Sequence, residues 1–60
     1  MDLKSEKAKK CYIKYERVRR SGLYNMFDPN ARALTGLSKE DYVWVMENYS
    51  ELNELYNEEV

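Results

Sequence analysis

The sequence contains no histidine, and only one cysteine, one proline and two glycines occur among its 60 residues. A lone Cys11 cannot close a disulfide within the chain, and without histidine the usual cysteine and histidine zinc sites cannot form. The commonest general base is missing as well, and two glycines are too few for a typical phosphate-binding loop. We therefore expect no catalytic residue, no metal site and no cofactor, and predict that the protein is not an enzyme.

Long apolar runs are also missing. No stretch approaches the roughly 18 to 20 apolar residues that a membrane span requires. Residues 1–10 are too charged to contain the core of a signal peptide. These features predict a cytoplasmic protein with no membrane partner. Because a chain of this length is close to the lower size limit for folding alone, association into homo-oligomers stays an open alternative.

Charge is divided unevenly along the chain, although the formal net charge is only −1. Residues 1–20 carry eight basic and three acidic side chains, whereas residues 38–60 carry one basic and seven acidic side chains. The segment between them is neutral. This asymmetry favours antiparallel packing of the two ends, and it equally favours homodimers or binding to a charged partner.

Periodicity and capping residues predict an all-α fold, a small three-helix bundle in a single domain that spans the whole chain. A long basic helix at about residues 3–20 is rich in helix formers and ends before Gly22. A short middle helix at 29–35 begins after a capping aspartate, and a long acidic helix at 39–57 begins after a capping serine. The apolar pentad at 23–27 is predicted to pack as a plug at one end of the bundle.

The predicted first helix has two different faces. Helical spacing predicts a buried stripe of Ala8, Cys11, Tyr15 and Val18. Ile13 lies on the opposite, charged face, where a single apolar side chain marks a candidate partner contact.

The predicted third helix has a broad apolar arc and a separate acidic stripe. The arc is wider than one small helix can cover, so Trp44 and Leu55 at its edge are expected to stay exposed and to contact a partner. The acidic stripe consists of Glu47, Glu51, Glu54 and Glu58. A row of carboxylates resembles the phosphates of a nucleic acid, which makes the stripe a candidate surface for binding a nucleic-acid-binding protein.

Two features indicate nucleic-acid binding as an alternative function. The basic face of the first helix offers Lys9, Lys10, Arg17 and Arg20 to phosphates, with Tyr12 beside them. The segment TGLSKEDYVWV also resembles the helix-turn-helix family, with Gly36 as the turn glycine and Val45 as an apolar position of the second helix. It departs from that family at Arg32, where a small alanine is usual, and the carboxylates of the third helix would repel DNA.

The segment RRSGLYNMF, residues 19–27, resembles short proteins of phages and prophages of Gram-positive bacteria. Those proteins often carry a comparable Ser-Gly-x-x-Asn-Met-Phe run. The resemblance implies a small accessory protein that acts on host machinery in the bacterial cytoplasm, and it transfers no catalytic residue. The leading hypothesis is a non-enzymatic protein-protein interaction module, a phage-encoded inhibitor or adaptor of a host protein. The alternative is a small dimeric DNA-binding protein.

Overall fold

The computed structural model describes residues 1–60, and all of its regular secondary structure is helical. Four α-helices are followed by a short 3-10 turn; they are α1 (Glu6–Ser21), α2 (Pro29–Thr35), α3 (Lys39–Glu47) and α4 (Tyr49–Tyr56), with the turn at Asn57–Glu59. The predicted all-α class and small helical bundle are confirmed. The predicted count of three helices is wrong, because the acidic helix is divided into α3 and α4.

Capping residues define where the first three helices begin. The hydroxyl of Ser5 accepts a hydrogen bond from the Ala8 amide at 3.1 Å, so α1 begins at Glu6 rather than near residue 3. A carboxylate oxygen of Asp28 caps α2 and the hydroxyl of Ser38 caps α3 in the same way. Gly36, with a φ of 74°, ends α2 in the left-handed conformation, which costs glycine little. The bounds predicted for the middle helix are therefore confirmed.

Asn48 interrupts the helix that the sequence predicts to run on to residue 57. Its φ of −113° and ψ of 18° lie outside the helical range. Its amide nitrogen Nδ2 donates to the Trp44 carbonyl at 2.9 Å, and its backbone N–H donates to the carbonyls of Trp44 and Val45. An asparagine side chain competes in this way with the regular helical pattern. As a result α3 and α4 pack against α1 as two separate segments.

The core is built on α1, which contacts each of the other three helices. Tyr15 stacks in tilted geometry against Tyr42, with ring centroids 5.2 Å apart, and against Tyr49 at 5.9 Å. Ala8 and Cys11 are buried beside them as predicted, whereas Val18 is only half-buried. The remaining buried apolar residues of this core are Tyr12, Val45 and Leu52.

The prediction that residues 23–27 pack as a plug holds only for Met26, which is half-buried against the core, and is wrong for the other apolar residues. Leu23 is 71% exposed and Phe27 is 83% exposed, and Tyr24 is exposed as well. The Asn25 side chain accepts a hydrogen bond from the Phe27 amide, and its carbonyl accepts one from the Asp28 amide at 2.8 Å. This tight turn leaves the Phe27 ring at the surface. No helix of the fold is long and apolar enough to cross a bilayer.

Candidate protein-binding surfaces

One side of α4 and of the turn that follows it is acidic. Glu51 and Leu55 lie four residues apart on α4, Glu54 is next to Leu55, and Glu58 lies in the turn that follows; all four are exposed. We call these four residues the acidic face. Leu55 is 45% exposed and is the apolar member of the face. Its three carboxylates lie in no salt bridge, because the ion pairs of this fold use other acidic residues.

The remaining residues predicted to contact a partner lie apart from the acidic face. Glu47 is exposed and unpaired, but it ends α3, on the other side of the Asn48 break. Trp44 is half-buried against the core, so the prediction that it stays exposed is wrong; it does not share a continuous helix edge with Leu55. Ile13 is also half-buried against the core rather than isolated on the charged surface. The structure therefore brings together only four of the seven predicted contacts.

The basic residues predicted for nucleic-acid binding are partly engaged within the fold. Lys9 pairs with Glu59 at 2.6 Å, and this hydrogen-bonded ion pair raises the pKa of Lys9. Arg20 donates to the Asn57 carbonyl at 3.1 Å and lies 3.7 Å from a carboxylate oxygen of Glu16. The acidic end of the chain thus neutralises part of the basic face of α1.

The other two basic residues predicted for nucleic-acid binding, Lys10 and Arg17, do not share a site. Lys10 lies with Lys7 and Lys14 at a cleft of about 380 Å³ between α1 and the start of α3. Asp41 shares this cleft and lies 3.7 Å from Lys7. Arg17 is exposed, makes no ion pair and does not line the cleft.

A buried carboxylate on α1 is the principal feature that the sequence analysis missed. Glu16 has no exposed surface and accepts hydrogen bonds from the hydroxyls of Tyr12 and Tyr49 and from Nε of Arg19. The Tyr12 hydroxyl also lies 2.7 Å from Oδ1 of Asn53. Tyr12, expected beside the basic residues, is therefore fully buried, and that expectation is wrong. The sequence feature that indicates this cluster is the spacing of Arg19 and Arg20. They lie three and four residues after Glu16, on the same side of α1, where they can pair with its carboxylate.

This cluster raises the pKa of three of its members. Burial first, and then the hydrogen bond to Glu16, raise the pKa of Tyr12 to about 12. The same two causes raise the pKa of Tyr49, while the hydrogen bond to Glu16 raises the pKa of Arg19. Every buried side-chain nitrogen and oxygen in the fold has a hydrogen-bond partner. The cluster therefore joins α1 to α4 through hydrogen-bonded side chains.

Cys11 is buried in the core, and burial raises the pKa of its thiol. A thiol in such surroundings behaves as a small apolar side chain rather than as a nucleophile. No three cysteine, aspartate or glutamate side chains are grouped in a way that could hold a metal ion.

A second surface, also missed, lies where the exposed loop meets α2 and α3. Phe27, Val43 and Met46 line an open groove of about 300 Å³, which we call the Phe27 groove. Arg32 and Lys39 also line it, and neither makes an ion pair within the fold. The apolar residues at 23–27 are the sequence feature that indicates this surface, although their composition alone predicts burial.

Comparisons of the chain with protein-family models, with curated proteins and with solved structures found no match.

Proposed function

We propose that the protein is a non-enzymatic protein-protein interaction module that binds a basic partner protein through the acidic face. The observation that carries this proposal is the state of the carboxylates of Glu51, Glu54 and Glu58. They are exposed, lie on α4 and on the turn that follows it, and have no cation from their own chain within ion-pair distance. Unpaired like charges gathered on one surface attract and orient a partner of opposite charge.

The composition of the acidic face supports one class of partner, a protein that itself binds nucleic acid. Carboxylates spaced along a helix side present a row of negative charge to the basic surface that would otherwise hold phosphates. Leu55 adds an apolar contact among the charges, which a phosphate backbone lacks. Together with the resemblance of residues 19–27 to phage proteins, this supports a phage-encoded inhibitor or adaptor that acts on a host protein in the bacterial cytoplasm.

Direct DNA binding is the alternative, and the charges of the fold weigh against it. Lys9 and Arg20 are engaged by the acidic end of the chain, so they are less available to phosphates. The exposed side of α3, which would be the recognition helix, carries Glu40 and Glu47. Carboxylates at these positions would be repelled by the phosphate backbone.

Affinity capture from bacterial lysate with and without nuclease separates these two functions. The proposal predicts a stoichiometric protein that stays bound after nuclease treatment. The paired substitution Glu51→Gln and Glu54→Gln should abolish its recovery. A control with Glu6→Gln and Glu40→Gln makes the same change in net charge at two exposed positions outside the acidic face. Recovery of nucleic acid alone, lost after nuclease, would replace the proposal with the DNA-binding alternative.

A further inference from the structure

The Phe27 groove combines apolar walls with uncompensated positive charge. Phe27 is 83% exposed and Val43 is 41% exposed, so apolar surface of this region is open to water. Arg32 and Lys39 line the same groove without ion-pair partners. Asp28 also lines it, but its carboxylate caps α2 by accepting from the Asn30 amide at 2.9 Å. A segment that complements the Phe27 groove would therefore carry an apolar side chain flanked by carboxylates.

The acidic face of the same chain has that chemistry. Leu55 is exposed, and Glu51 and Glu54 lie beside it on the same side of α4. Within one molecule no ion pair connects these glutamates to Arg32 or Lys39. The two surfaces are complementary in charge, and within one chain neither is paired with the other.

We propose that two copies of this chain associate, with Leu55 of each inserted in the Phe27 groove of the other. In this arrangement Glu51 and Glu54 of one copy face Arg32 and Lys39 of the other. A two-fold axis makes the contact twice, so both complementary surfaces of each copy are covered in a closed dimer. Burial of Leu55 and Phe27 supplies the apolar contribution, and the charges fix the relative orientation.

This dimer uses the acidic face that the proposed function assigns to a partner protein, so dimerisation and partner binding compete. The dimer does not depend on that function. A chain that stays monomeric and still captures its partner overturns the dimer alone. Failure of the Arg32→Glu and Lys39→Glu variant, which leaves the acidic face free, to capture a partner overturns the proposed function alone.

Charge reversal tests the contact in the purified protein by sedimentation equilibrium over the micromolar to millimolar range. The variant with Arg32→Glu and Lys39→Glu should dimerise at least about tenfold more weakly than the wild type, because like charges then face each other. The variant with Glu51→Lys and Glu54→Lys should be weakened equally. An equimolar mixture of these two variants should form dimers, because both contacts of the mixed pair are again complementary. A chain with all four reversals should form dimers for the same reason.

Two results would overturn the proposal. One is a wild type that stays monomeric throughout the concentration range. The other is a dimer whose affinity is unchanged by either reversal, which would mean that another surface is responsible. Circular dichroism shows whether each variant is folded. If the reversals unfold the chain, Leu55→Gln should still weaken dimerisation, whereas Leu34→Gln, at a residue that is 55% exposed outside the groove, should not.

Discussion

The carboxylate of Glu16, fully buried on α1, accepts a hydrogen bond from the hydroxyl of Tyr49, the first residue of α4. This contact joins the basic and acidic halves of the chain across 33 residues of sequence. Arg19, on the same helix as Glu16, binds the carboxylate and also lies over the Tyr49 ring, 5.5 Å from its centroid. The orientation of α4, and therefore of its acidic face, depends on this cluster.

Replacement of the buried carboxylate should destabilise the fold. Glu16→Gln removes the negative charge that two tyrosine hydroxyls and Arg19 share, while it keeps the size of the side chain. We expect a loss of about 1–3 kcal/mol in the free energy of unfolding, measured by urea denaturation. The matched control is Arg17→Gln, next to it on α1 but exposed and unpaired, which should change stability by less than about 0.5 kcal/mol. Equal effects of the two substitutions would contradict the role given to Glu16.

Stability should fall in alkaline solution because the core contains tyrosines. The pKa of Tyr12 is about 12 in the folded chain against an ordinary value of 10.0, and burial also raises the pKa of Tyr15, Tyr42 and Tyr49. The unfolded chain therefore releases these protons at lower pH than the folded chain does. The stability that these protonated tyrosines contribute is fully present below pH 10. It is lost as the pH rises from 10 through about 12.

Urea midpoints measured from neutral pH to pH 12 test this dependence. Tyr12→Phe should reduce the alkaline loss, because the substituted side chain has no proton to release. A midpoint that stays constant or rises over this range would contradict the burial of the tyrosine cluster.

The hydroxyl of Tyr42 should restrain the exposed loop. It donates to the Met26 carbonyl at 2.6 Å, which is the side-chain hydrogen bond that ties α3 to the loop between α1 and α2. Tyr42→Phe should cost about 1 kcal/mol in the free energy of unfolding and increase hydrogen exchange in residues 23–27. Tyr24→Phe, at an exposed ring in that loop, should change neither quantity. Unchanged exchange in the Tyr42→Phe variant would show that the loop is held by other contacts.

The features of this fold that are predicted well are those that depend on residues close together in the sequence, such as helix ends and buried helix positions. The start of α2 after Asp28 and its end at Gly36 depend on a capping side chain and a left-handed glycine, both of which are recognisable within a few residues. Helical spacing likewise identifies Ala8, Cys11 and Tyr15 as core residues. The same spacing identifies Glu51, Glu54 and Glu58 as exposed, but it also groups Glu47 with them across the Asn48 break.

Features that depend on distant contacts could not be predicted in this way. Tyr12 and Glu16 are buried because α4 brings Tyr49 and Asn53 to them, and no local pattern places those residues there. The break at Asn48 arises from hydrogen bonds of a residue that a helix also tolerates. Leu23, Tyr24 and Phe27 are exposed, because apolar composition alone does not show whether a neighbouring element covers a side chain.

Binding of the captured partner, once purified, can be measured by calorimetric titration with the wild type and with the variant in which Glu51, Glu54 and Glu58 are all replaced by glutamine. We expect tight binding by the wild type that weakens as salt is added, and at least about a hundredfold weaker binding by the variant. A variant that remains folded and binds the partner as tightly as the wild type would contradict the claim that the acidic face is the binding surface.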